Sequence, residues 1–143
     1  MKLFEKTTFC ADETELVGAE IAKYILENSE NFVALYGDLG AGKTAFTRGF
    51  ASVIVPAANV CSPTYTIVNE YDGSPSLFHF DMYRIEDEDA LESIGFFDYF
   101  GRGIIITEWS ENIPFALPER YVRVTIKKIG DDERKITAEI CGN

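Results

Sequence analysis

Eight consecutive residues in the first third of the chain are of the types and spacing that bind phosphate. Gly37-Asp38-Leu39-Gly40-Ala41-Gly42-Lys43-Thr44 matches G-x-x-x-x-G-K-[ST] at every fixed position. Glycines let backbone N–H groups turn inward around phosphate oxygens, and the N-terminus of a following helix adds its positive end. Lys43 then supplies a point charge to the β- and γ-phosphates, and Thr44 offers a hydroxyl to Mg2+. Nucleotide contacts are expected from Asp38, Leu39, Gly40, Ala41, Gly42, Lys43, Thr44 and Ala45. A Mg2+ ion held in this way takes a second protein ligand, usually a carboxylate at the end of a buried strand. Two acids qualify. Glu108 closes the apolar run Gly103-Ile104-Ile105-Ile106-Thr107, and Asp81 follows Leu77-Phe78-His79-Phe80. Glu108 is favoured for the metal. Asp81 would then orient or deprotonate an attacking water, or hold a metal-bound one. The plainer reading of either is a solvated acid at a strand end.

Other residues stay open between two readings. Thr64, in Ser62-Pro63-Thr64-Tyr65, could sense a γ-phosphate as switch loops do, or could belong to a proline turn entering a strand. Arg84, the lone base between residues 49 and 101, could stabilise transition-state charge or pair with Glu86–Asp89. His79 reads more simply as a hydrogen-bonded structural histidine than as a catalytic one. Trp109 is either core or a wall of the site.

The elements that must position these residues follow from apolar periodicity. A strand is expected over 3–9. Asp12 and Glu15 form a capping pattern for a helix over 12–28 whose stripe is Leu16, Ala19, Ala22, Ile25 and Leu26. Phe32–Tyr36 is continuously apolar, as in a strand buried on both faces. A helix starting near Lys43 turns Phe46, Phe50, Val53 and Ile54 inward. Segments 65–71 and 77–84 flank Asp72-Gly73-Ser74-Pro75 as an antiparallel hairpin. A short acidic helix over 86–94, an aromatic segment over 95–100 and a strand over 103–107 follow. Residues 121–143 alternate as a terminal hairpin turning at Gly130-Asp131-Asp132. The expected fold is α/β, a P-loop NTPase-like three-layer domain with a mixed parallel and antiparallel sheet, one domain over 1–143.

Composition excludes several classes. The 143 residues are 46% hydrophobic and 13% aromatic, too apolar for a disordered chain. The net charge of −11 argues against strong binding to nucleic-acid backbone, which Lys and Arg drive by neutralising phosphates. A single histidine removes histidine-clustered metal sites. Cys10, Cys61 and Cys141 form no C-x-x-C pair, and their odd number suits a reducing cytoplasm. They read as small buried hydrophobes. Met1–Lys6 lacks the apolar region of a signal peptide, and no apolar run is long enough for a membrane span. No N-K-x-D guanine signature is present, and no arginine-rich lid of a small-molecule kinase.

The ordered set of motifs resembles the TsaE (YjeE) family, the small ATPases of bacterial tRNA threonylcarbamoyladenosine synthesis. The resemblance rests on Thr14 and Gly18, the Gly37–Thr44 loop and Thr47-Arg48-Gly49-Phe50. It continues through Ser62-Pro63-Thr64-Tyr65-Thr66, His79-Phe80-Asp81-Met82-Tyr83-Arg84, Glu92, Gly95, Asp98-Tyr99-Phe100 and Glu108-Trp109. It implies an ATP- and Mg2+-dependent ATPase, slow alone, acting on a TsaB–TsaD partner complex that modifies adenosine 37 of tRNA. Contact with tRNA would run through that complex. By resemblance, Lys43 and Thr44 hold phosphate and Mg2+, Glu108 ligates Mg2+ and Asp81 is needed for hydrolysis. Adenine would lie around Phe9–Asp12, with the terminal hairpin nearby. The rival readings are a small-molecule or nucleoside kinase, which needs an acceptor pocket, and a non-hydrolysing ATP-dependent adaptor.

Overall fold

A computed structural model describes residues 2–37, 41–57 and 67–142. Its elements are β1 (Lys2–Thr8), α1 (Ala11–Glu27), β2 (Phe32–Tyr36), α2 (Lys43–Ile54), β3 (Val68–Tyr71) and β4 (Leu77–Asp81). They continue through α3 (Glu88–Ser93), β5 (Ile104–Glu108), β6 (Tyr121–Lys128) and β7 (Arg134–Cys141), with short 3-10 turns at Phe96–Tyr99, Ser110–Asn112 and Pro114–Ala116.

The apolar runs form the centre of one sheet, ordered β1-β7-β6-β2-β5-β4-β3. β6, β2, β5 and β4 run parallel, and antiparallel strands flank them on both sides. Strands buried on both faces need a layer on each. α1 and α2 cover one face, over Val33, Leu35, Leu77, Ile104, Ile106, Val122 and Val124. α3 and the aromatic turn cover the other, over Phe32, Phe78, Phe80 and Ile105. Phe96 meets Phe80 edge-on at 5.0 Å and Phe32 at 6.3 Å, so the aromatic segment at 95–100 caps the second core. The sheet is mixed and the architecture three-layered, as expected.

Several local expectations are corrected. The buried face of α1 is Thr14, Val17, Gly18, Ile21, Ala22 and Ile25, whereas Leu16 is 65% exposed. The reason is Gly18. A Cβ there would lie 2.1 Å from the Phe46 carbonyl oxygen, so the backbones of α1 and α2 touch at this point and fix which stripe turns in. The Asp12/Glu15 capping pattern does not form either. Cys10 is the N-cap without a side-chain bond, and Glu13 reaches back to the Phe9 N–H at 2.6 Å. Cys10 is therefore exposed and Cys141 half-buried, not core; Cys61 lies outside the described residues. β4 stops at Asp81 and not at Arg84. Its carboxylate accepts the Tyr83 N–H at 2.9 Å, and this Asx turn diverts the chain from the ladder.

Candidate functional site

Parallel pairing brings three strand ends to one edge of the sheet. β2 leads into Gly37, β4 ends at Asp81 and β5 ends at Glu108, with Asp81 directly opposite Glu108. Side chains alternate faces along a strand. His79, Asp81 and Glu108 thus share the face of Leu77, Ile104 and Ile106, which pack beneath α1 and α2. α2 begins at Lys43 above that face. The crevice at the carboxyl ends of parallel strands is where open α/β sheets bind ligands.

Gly37 and Ala41, the described residues on either side of positions 38–40, are held by side chains from the last third of the chain. Gly42, the N-cap of α2, has φ 102, a left-handed backbone that suits glycine. Lys43 is 6% exposed. Its ammonium donates to the Gly37 carbonyl at 2.6 Å and sits 3.7 Å from the centre of the Trp109 ring. Trp109 also packs against the second core, so both of its readings describe it in part. The Gly37 N–H donates to Glu111 at 3.2 Å, and Arg134 Nε donates to the Ala41 carbonyl at 3.1 Å. Thr44 and Ala45 lie half-buried in the first turn of α2. Tyr36, one residue before the loop, has its phenol pushed up to about 12, by burial first and then by the neighbouring Tyr121.

The two acids are held differently. Asp81 uses one oxygen in its Asx turn, and Asn112 fastens that turn by donating to the carbonyls of Met82 at 2.9 Å and Tyr83 at 3.3 Å. Glu108 is 6% exposed and its carboxylate bonds to Nε2 of His79, itself fully buried. Beyond Glu108 the chain bends sharply: Trp109 has φ 58, and the Thr107 and Ser110 hydroxyls meet at 2.7 Å. Tyr83 packs against Trp109 with ring centres 5.0 Å apart and the ring planes tilted. Arg84 is exposed and, among the described residues, in no ion pair with Glu86–Asp89.

The donor chemistry fits Mg2+ with a phosphate ligand. Thr44, Asp81 and Glu108 offer hard oxygens, which suit Mg2+. Among the described residues no three His, Cys, Asp or Glu cluster as a metal cage. An ion that keeps its waters and takes ligands from substrate phosphates needs none. A cavity of about 160 Å3 adjoins the loop, lined by Cys10, Ala11, Thr14, Gly42, Ala45, Asp132 and Arg134. A larger hollow, about 540 Å3, lies between the end of α2 and the β3–β4 turn and includes none of the site residues.

The structure thus gathers Ala41, Gly42, Lys43, Thr44, Ala45, Asp81 and Glu108. Asp38, Leu39, Gly40 and the Ser62-Pro63-Thr64-Tyr65 loop lie outside the described residues. Sequence reasoning missed Glu111, Asn112 and Arg134. Each acts across a long loop, and no local pattern marks any of them.

The family model described as threonylcarbamoyl adenosine biosynthesis protein TsaE matches residues 9–136. The chain belongs to the TsaE family. Threonylcarbamoyladenosine biosynthesis is thus its pathway. TsaE of Bacillus subtilis is 41% identical, over all of this chain and 89% of the relative. TsaE of Haemophilus influenzae is also 41% identical, over 91% of this chain and 86% of its own. The crystal structure of Bacillus subtilis YdiB superposes with a TM-score of 0.78 at 33% identity, covering all of this chain and 88% of that one. In this TsaE chain no helix among the described residues is long and apolar enough to cross a membrane.

Proposed function

We propose that the chain is a Mg2+-dependent ATPase of the cytoplasm, acting on a TsaB–TsaD-type complex that modifies tRNA. The supporting observation is the convergence of Lys43 at the start of α2 with two carboxylates on adjacent parallel strand ends. Lys43 exchanges its Gly37 and Trp109 contacts for the β- and γ-phosphate oxygens. The amides from Asp38 to Ala45 cradle the phosphates, and the N-terminus of α2 adds its dipole. Thr44 and Glu108 hold Mg2+, which when bound neutralises charge on the phosphates. Asp81, fixed by its turn, orients the attacking water through its free oxygen. Adenine is assigned to the cavity beside Cys10 and Ala11, with Arg134 and Asp132 of the terminal hairpin on its other side. Thr64 senses the γ-phosphate and reports it to the partner surface.

Switch ATPases wait for partner contacts to complete their site. The test is phosphate release by the purified chain with and without its TsaB and TsaD counterparts, together with the threonylcarbamoyladenosine content of tRNA from depleted cells. Slow turnover that the partners alter, and loss of the nucleoside, are expected. A metabolic-enzyme rate indifferent to the partners, or unchanged nucleoside, would overturn the proposal.

A further inference from the structure

Glu108 has a buried carboxylate, and such a group needs a donor. Its hydrogen bond among the described residues comes from His79 and uses Oε2. The register explains the meeting: His79 stands opposite Ile106 on the neighbouring parallel strand, which leaves Glu108 one same-face step further on. Because a carboxylate only accepts, the imidazole proton must sit on Nε2. Nδ1 is buried and, among the described residues, has no partner. This is a poor arrangement for a residue whose job is packing. Its strand neighbours Leu77, Phe78 and Phe80 show that the surroundings take apolar side chains without leaving a polar atom unpaired. The hydrogen bond that His79 makes among the described residues is the one to Glu108.

We propose that His79 is the positioning residue for Glu108. It holds Oε2 and leaves Oε1 as the oxygen presented to Mg2+. Groups that hydrogen-bond a metal ligand fix its orientation, and their loss typically weakens metal binding about tenfold to a hundredfold. The inference rests on Glu108 being a metal ligand, as proposed above.

The experiment measures equilibrium binding of a non-hydrolysable ATP analogue by calorimetry, with and without Mg2+, for wild type, His79→Leu, His79→Gln and Glu108→Gln. His79→Leu should lose about tenfold to a hundredfold in Mg2+ affinity while Mg2+-free nucleotide binding stays at the wild-type value. His79→Gln, whose amide keeps an N–H donor of similar reach, should recover most of that loss. A normal Mg2+ response in His79→Leu, or equal losses in Leu and Gln, overturns the inference. If Glu108→Gln loses Mg2+ affinity while His79→Leu keeps it, only the role of His79 falls. If Glu108→Gln responds normally to Mg2+, the reading of Glu108 falls and takes this one with it. Should His79→Leu fail to fold, the wild type still decides the matter. The chain has one histidine, so its 15N-imidazole NMR signals are unambiguous. The expected tautomer carries its proton on Nε2, and that N–H should shift when Mg2+ joins the bound analogue. An Nδ1–H tautomer, or an Nε2–H that ignores Mg2+, refutes the proposal.

Discussion

Asp81 has two jobs that one pair of substitutions separates. Its carboxylate closes an Asx turn by accepting the Tyr83 N–H at 2.9 Å, and in the proposed mechanism its other oxygen orients water. Asp81→Asn keeps an oxygen for the turn and loses the charge. Asp81→Ala loses both. A single intramolecular hydrogen bond contributes about 1 kcal/mol net. For a domain of this size that corresponds to a lowering of about 2–4 °C in Tm for the alanine variant, with the asparagine variant melting beside wild type. Catalysis should divide differently. Both variants should lose about a hundredfold to ten-thousandfold in single-turnover phosphate release, the usual contribution of a positioned acid–base group. Nucleotide affinity should hold near wild type in both, because Lys43 and the loop amides carry it. Differential scanning calorimetry and rapid-quench phosphate release with the partner complex measure the two effects. An Asp81→Asn variant that hydrolyses ATP like wild type refutes the role in water activation. One that melts as low as the alanine variant refutes the turn.

Replacing Lys43 with Met should weaken nucleotide binding about tenfold to a hundredfold by removing charge-assisted hydrogen bonds, measured by calorimetry; unaltered binding would contradict the phosphate assignment. Gly18→Val should destabilise the fold by about 3 kcal/mol in urea unfolding, the upper end of overpacking, because its Cβ would lie 2.1 Å from a helix carbonyl. Tyr36, pushed up to about 12, keeps its proton in the fold where an unfolded tyrosine ionises near its ordinary value of 10.0. Its contribution is complete below pH 10 and is lost as pH rises toward 12. Tyr36→Phe should flatten that alkaline loss and remove the slowest-titrating tyrosinate absorbance at high pH; an unchanged titration would place the perturbed phenol elsewhere.

What the sequence disclosed depended on range. The phosphate loop, the buried strand before it and the acid closing β5 are contiguous patterns, each with a local physical cause. The pairing of Asp81 with Glu108 required the strand order, which no single segment encodes. Glu111 and Arg134 reach the loop from 74 and 93 residues away, so only the folded topology reveals them. The error over Leu16 has the same origin: periodicity finds an apolar stripe, but a close helix approach at Gly18 decides which stripe is used. The end of β4 was missed because Asp81 looks like a strand residue until its side chain is seen bonding its own backbone.

Charge bears on how such a site meets RNA. Residues 51–100 hold nine acids and one base, while residues 101–143 hold seven of each. The basic residues of that last third are partly engaged already: Arg120 pairs with Glu30, Arg123 lies 3.8 Å from Glu139, and Lys135 pairs with Glu5, whose carboxyl Lys135 and Lys2 hold down to about 2. Binding to a phosphate backbone gains its free energy from cations available to replace counterions. Here three of the seven bases answer acids on the protein's own surface, and the acidic middle third would repel a polyanion. In the proposed reading a polyphosphate nucleotide escapes this penalty, because Lys43 and the N-terminus of α2 supply positive potential locally. The proposed reading thus has the chain binding a small anion tightly and a large one poorly. That contrast is what the proposed division of labour requires, with partner proteins holding the tRNA and this chain supplying the nucleotide switch.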